Sequence, residues 1–248
     1  MTDIRDEAIV LHTSDLGEAD LLVSFLSKGH GKQRGVAKNA KKSKRRFPNC
    51  LSLGNRIELL YQCRPNRELC FLLEARLIEP LSYVGESYQK ALLASYALKI
   101  THLFLPPSQR ETEIFELLKY ILKKDPHLDP NALCLYFESR FSKFLGYAIN
   151  LKECLICRRP YRFEGTGWYS AKKGGILCPR CRPKGGVIPI GPEEARLLEL
   201  LQEGENFHPL GFDEEMLHNL SKILLTHMES HLGDLPRSIL LLRERFWQ

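Results

Sequence analysis

The sequence predicts an α+β protein: a small N-terminal β-barrel followed by an α-helical domain that carries a four-cysteine zinc motif. Three observations lead there. Up to residue 80 the apolar residues fall in short runs bounded by turn residues, several with the alternation of strands. Beyond Pro80 they recur at the three-to-four-residue spacing of helices. Within the helical part, Cys154-Leu155-Ile156-Cys157 and Cys178-Pro179-Arg180-Cys181 form two CxxC pairs separated by 20 residues. A chain of 248 residues, 44% hydrophobic and 27% charged, has enough apolar material for one large domain or two ordinary ones. The expected division is a nucleic-acid-binding domain at 1–80 and a helical domain at 81–248, with the zinc motif inserted at about 150–186.

The barrel elements follow in order. Arg5 to His12 is a short β-type run, closed by the turn residues Asp15-Leu16-Gly17-Glu18. Ala19 to Ser27 is the second strand, and Lys28-Gly29-His30-Gly31 the turn after it. Lys32 to Ala37 is a third strand with one wet face. Arg56 to Cys63 alternates Ile57, Leu59 and Tyr61, and Leu69 to Ile78 follows, with Pro65-Asn66 as the hairpin turn between them. Five short strands in about eighty residues suit an OB-fold, the five-stranded barrel that binds oligonucleotides; SH3-like barrels have a similar strand count. Phe25, Phe47, Tyr61 and Phe71 are expected in the core, leaving no base-stacking aromatic named.

Helices are expected over Ser87 to Phe104, after the capping box Ser108-x-x-Glu111, and from Asp129-Pro130 to near Gly146. Three more start at Gly191-Pro192, span Phe212 to Leu232, and run from Pro236 to Trp247. Six helices suffice for a second core.

Charge is distributed unevenly. Lys28 to Arg46 holds nine Lys or Arg and no acid, whereas the rest of the chain has 27 basic and 30 acidic residues. Like charge at that density calls for a polyanion, so nucleic acid is the first partner to consider. Lys32 and Arg34 are expected on a strand, and Lys38, Lys41, Lys42, Lys44, Arg45 and Arg46 on a mobile arm wrapping a nucleic-acid backbone. A second island spans 150–186, where nine basic residues meet two acids; Arg158, Arg159, Lys172, Lys173, Arg180 and Arg182 are its candidate contacts.

Two residues between thiolates let each pair curl around one ion, and two pairs complete a tetrahedron. Cys154, Cys157, Cys178 and Cys181 are therefore the expected ligands of one structural Zn2+, with glycines between the pairs turning a short hairpin. Four thiolates leave no open position, which argues against a catalytic metal. The other cysteines (Cys50, Cys63, Cys70 and Cys134) read as buried thiols, because disulfides are not expected in a reducing compartment.

No window approaches eighteen apolar residues and the N-terminus has no signal-peptide pattern, so no membrane span and a cytoplasmic location are expected. His227 and His231 stand four apart, but without the HExxH order of a metalloprotease. Gly29, Gly31 and Gly35 miss the GxGxxG pattern because Arg34 takes its third glycine. No P-loop, serine triad or carboxylate pair is legible, and nothing argues for an enzyme.

The segment EAIVLHTSDLGEADLLVSFLSKGHGKQRGVAKNAKKSKRRF (Glu7 to Phe47), then Leu51 to Asn55, and the cysteine motif with Gly174-Gly175 ahead of Cys178, together resemble the RecO family of bacterial recombination mediators. That resemblance implies a nucleoid-associated protein that binds single- and double-stranded DNA and anneals complementary strands. It further implies that RecR is a partner in loading RecA onto DNA coated with single-stranded-DNA-binding protein, and that the acidic C-terminal tail of that coating protein is bound. The residues alone also suit an RNA-binding or ribosome-associated zinc protein.

Overall fold

The computed structural model describes residues 3–64, 68–81, 87–107, 112–123, 128–204 and 212–247. The Pro65-Asn66 turn and the Ser108–Glu111 capping box lie outside the described residues. By internal contacts the chain divides into two compact units, Met1–Lys124 and Asp125–Gln248.

In the first unit, alternating burial builds a closed barrel from β1 (Asp3–Leu16), β2 (Asp20–Ser27), β3 (Gly31–Ala37), β4 (Arg56–Gln62) and β5 (Leu69–Glu79), in the order β1-β2-β3-β5-β4. All pairings are antiparallel except β3 with β5. This is the OB-fold arrangement. The long β1 serves two neighbours: Asp3 to Ile9 pairs with β4 and Ala8 to Leu16 with β2, with an irregularity between Val10 and His12 that bends the strand between them. Ala8, Val10, Val23, Phe25, Ile57, Leu59 and Tyr61 fill the interior and are buried. Gly35 faces the same space; a Cβ there would lie 2.6 Å from the Leu72 side chain, so its role is close packing of β3 on β5.

The structure departs from two expectations. The connection 38–55 is not a loose arm. It opens with a 3-10 turn at Ala40–Lys42. The Lys41 amide donates to the Ala19 carbonyl at 3.1 Å, and the Ala75 amide donates to the Arg46 carbonyl at 2.8 Å. Ala40, Phe47, Cys50 and Leu51 are buried against the barrel interior, which pins the run from below while its cations face outward. Cys63 and Cys70 are not free thiols but a disulfide. The β4–β5 register pairs Gln62 with Phe71 and so sets Cys63 across from Cys70.

Helices α1 (Tyr88–Phe104, capped by Ser87) and α2 (Thr112–Ile121) share this unit with the barrel. The second unit holds α3 (Pro130–Phe144), α4 (Pro192–Glu203), α5 (Glu214–Leu232) and α6 (Arg237–Phe246). The starts are those expected: Asp129 accepts from the Asn131 and Ala132 amides, and Pro130 occupies the first turn. The Glu194 carboxylate accepts the Gly191 amide at 2.5 Å. A three-stranded sheet in the order β7-β6-β8 completes the unit, from β6 (Gly167–Ser170), β7 (Gly175–Leu177) and β8 (Ile188–Ile190). The sequence anticipated the β6–β7 hairpin; β8 is added by the structure. No helix among the described residues is long and apolar enough to cross a membrane.

His227 ties this sheet to α5. Its Nδ1 lies 2.9 Å from the Tyr169 hydroxyl and its Nε2 2.7 Å from the Tyr147 carbonyl. A carbonyl can only accept, so Nε2 carries the proton, and Nδ1 of the neutral ring accepts from Tyr169. Both nitrogens are taken by the core, and the His227/His231 pair does not form a metal site among the described residues. Burial pushes the His227 pKa down to about 4 from 6.5, with nearby His231 adding to the effect and the bond to Tyr147 opposing it. The unfolded chain therefore binds the extra proton first, and stability falls as pH drops through the window from about 6.5 to about 4. We expect urea unfolding of the second unit to lose about 3 kcal/mol across that window. In His227→Gln most of this pH dependence should vanish; its persistence would show that another group is responsible.

Candidate metal centre and basic surfaces

The candidate metal centre is assembled from two local turns. In the first, the Arg158 amide donates to the Cys154 carbonyl and the Cys154 amide to the Arg159 carbonyl, both at 2.9 Å, with Arg158 at φ 58. In the second, the Cys181 and Arg182 amides donate to the Cys178 carbonyl at 3.0 and 3.1 Å. The β6–β7 hairpin brings the turns together: β7 ends at Leu177, directly before Cys178, and Leu155 donates to the Ile176 carbonyl at 3.1 Å. Gly175 has no room for a side chain, because a Cβ would stand 2.5 Å from the Asn150 carbonyl oxygen.

The Sγ atoms of Cys154, Cys157, Cys178 and Cys181 all lie within 4.8 Å of one another. Cys157 and Cys178 are 3.8 Å apart. A tetrahedron with metal–sulfur bonds of about 2.3 Å has edges of about 3.8 Å, so the set fits one tetrahedral ion. Burial raises the Cys154 pKa, but amides from Cys157, Cys178 and Ile156 outweigh it and bring the thiol down to about 6. Hydrogen bonds to Cys157 and Cys178 push Cys181 up to about 12. A metal entering this set therefore has a proton to displace from Cys181. An ion held by all four sulfurs would have no vacant position for a substrate.

Around this centre, Arg159, Lys172, Lys173 and Arg180 are exposed, the two lysines on a 3-10 turn at Ala171–Lys173. Arg158 pairs with Glu153 at 2.6 Å. Arg182 lies 4.0 Å from the centre of the Trp168 ring, a cation–π contact that presents both groups together. Trp168 had no signal in the sequence beyond being an aromatic residue in a basic segment.

On the barrel the predicted cations separate into two groups. Arg34, Lys38, Lys42, Lys44 and Arg45 are exposed and have no ion-pair partner among the described residues. Lys32, Lys41 and Arg46 are engaged. Lys41 pairs with Asp15 at 3.0 Å and donates to the Gly17 carbonyl at 3.2 Å. Arg46 donates to the Lys38 carbonyl at 2.6 Å and lies over the Phe47 ring. Lys32 is half-buried and donates to the His102 carbonyl at 2.8 Å. Burial lowers its pKa, and Arg34 adds to the effect. The sequence reading missed His12, Ser24 and His102, which meet Lys32 and Arg34 on one face; the available cue was polar residues at alternate positions of otherwise apolar strands.

A five-stranded OB barrel with exposed cations that have no ion-pair partner among the described residues, in one chain with a helical unit bearing four cysteines placed to hold one metal ion, defines a two-part protein. The chain matches the family described as "Recombination protein O N terminal" over residues 1–81 and "Recombination protein O C terminal" over residues 85–238. Relatives named "DNA repair protein RecO" are similar over most of its length. That of Dehalococcoides mccartyi is 27% identical, covering 96% of this chain and 94% of the relative. That of Geobacter metallireducens is 30% identical, covering 98% of each. That of Syntrophobacter fumaroxidans is 33% identical over 72% of this chain and 71% of the relative. The chain belongs to the RecO family.

Proposed function

We propose that this protein is a non-enzymatic mediator of DNA repair that binds single- and double-stranded DNA and anneals complementary strands. In this reading it acts with RecR to load RecA onto DNA coated with single-stranded-DNA-binding protein, whose C-terminal tail it binds. The ion in the four-cysteine centre is zinc, and it is structural. One observation carries the DNA reading: Arg34, Lys38, Lys42, Lys44 and Arg45 stand exposed on an OB barrel with no acidic partner among the described residues. Such cations gain by neutralising phosphates, and each phosphate neutralised releases counterion. Family membership and the names of the relatives support the same reading.

The test reverses charge at Lys42, Lys44 and Arg45 (each to Glu), side chains that hold nothing in the barrel. Affinity for single-stranded DNA should fall at least tenfold. The slope of log affinity against log salt should flatten by about 2, at about 0.7 per lost phosphate contact. Complementary-strand annealing should slow with it. An unchanged affinity and salt slope would overturn the assignment of this surface. An equal-length RNA competitor that binds better than DNA would move the function to RNA.

A further inference from the structure

The face of β1, β2 and β3 that points away from the barrel interior carries a row of polar groups. The register sets His12 opposite Ser24 and Ser24 opposite Arg34, so the three cross adjacent strands in line. Ser14 and Lys32 stand two residues from His12 and Arg34 and share their face, because strand side chains alternate. Helix α1 covers one side of this row. The His102 ring stacks on His12 with centroids 4.9 Å apart and 26° between planes, and the His102 carbonyl accepts from Lys32. Beyond α1, Pro107 forms a bridge with Lys32. The cavity, open to solvent on one side, measures about 430 Å³, and among its described lining residues are two cationic side chains, two imidazoles and two hydroxyls, with no carboxylate.

Three features point to an anion as its occupant. Ser24 is a polar side chain buried at 3% exposure on the cavity wall. The His102 Nδ1 is buried with no hydrogen-bond partner among the described residues. Burial, and then His12, Lys32 and Arg34, push the His102 pKa down to about 4, so the groups facing it from β1 and β3 are all bases and oppose one another's charge. An anion among them removes that repulsion. Its charge is set by Lys32 and Arg34. A phosphodiester inside a strand brings one negative charge and must leave the cavity on two sides. A phosphomonoester brings close to two and leaves by one, which suits a cavity closed on one side by α1.

The geometry points to a phosphate site at which Lys32, Arg34, Ser24 and His102 hold the terminal phosphomonoester of a nucleic-acid strand. This rests on the proposal that the barrel meets DNA, and adds that it distinguishes a strand end from a strand interior. The test uses the full-length protein and internally labelled strands with a 5′-phosphate, a 3′-phosphate or hydroxyls at both ends, all at one salt concentration. Thermal melts with inorganic phosphate against chloride at matched ionic strength run in parallel. One phosphorylated end should bind about tenfold tighter than the hydroxyl end, as expected for an added set of charge-assisted hydrogen bonds. Inorganic phosphate should raise the melting temperature. Ser24→Ala and His102→Asn should reduce both effects while hydroxyl-ended DNA binds as before, and their melting without phosphate checks that each folds. Equal affinity for all three strands, or a phosphate advantage that survives in a folded variant, overturns the site while leaving DNA binding intact. Failure of every strand to bind defeats the wider reading instead, and the inorganic phosphate melts then decide the pocket alone.

Discussion

Removing the metal from the four-cysteine centre will unfold the segment that carries it. Purified protein should contain one zinc per chain by elemental analysis, and Cys178→Ala should contain none. Binding of a structural zinc by four thiolates is worth about 10–16 kcal/mol at neutral pH, far more than a segment with only three short strands can supply from its own core. The strands are four, three and three residues long. They are fixed by the hairpin between the two cysteine turns and by Tyr169 bonded to His227. Both tryptophans, Trp168 and Trp247, lie in the second unit, and Trp168 pairs with Leu177 beside Cys178. Chelation should therefore shift tryptophan emission, and amide protection should be lost over 150–190 while the barrel keeps its own. Stoichiometric absence of metal from protein purified without chelators would refute the assignment.

Replacing Arg243 by Met will cost the second unit about 3–5 kcal/mol, because it strands a buried charge. Arg243 Nε and Nη2 donate to the two carboxylate oxygens of Glu138 at 2.7 and 2.9 Å, and Nη2 also donates to the Ser221 carbonyl at 2.7 Å. The Glu138 side chain is wholly buried and that of Arg243 6% exposed. One guanidinium thus joins α6 to α3 and α5. The double variant Glu138→Leu/Arg243→Met should recover most of the loss, since an apolar pair in place of a buried ion pair is often neutral or stabilising. Urea unfolding followed by tryptophan emission measures both. A single-variant loss below about 1 kcal/mol, or no recovery in the double variant, would show that the pair is not the tie between these helices.

The elements that could be read from the sequence are those whose cause is local. Alternation of Ile57, Leu59 and Tyr61 marks a strand because neighbouring residues face opposite sides. Asp129-Pro130 marks a helix start because capping acts within three residues. The CxxC pairs are legible for the same reason: each turn is closed by its own amides, and a zinc ion demands that spacing. Within the basic run the strand over Lys32 to Ala37 was legible, whereas the connection after it was legible only as charge. Four buried residues, Ala40, Phe47, Cys50 and Leu51, fasten the connection to the barrel, yet they are too scattered to show a period.

Composition and spacing thus determined the barrel, the helices, the paired cysteines and the sign of the surface, all properties of short segments. Tertiary structure alone decided which cations are engaged and which have no ion-pair partner among the described residues, that Cys63 faces Cys70, that Arg243 meets Glu138 across 105 residues, and that His102 stacks on His12 beside Ser24 and Arg34. Each of these depends on strand register or on how a helix lies against its neighbours. The barrel sets those by closing and the cores by packing, and neither leaves a periodic trace in the chain.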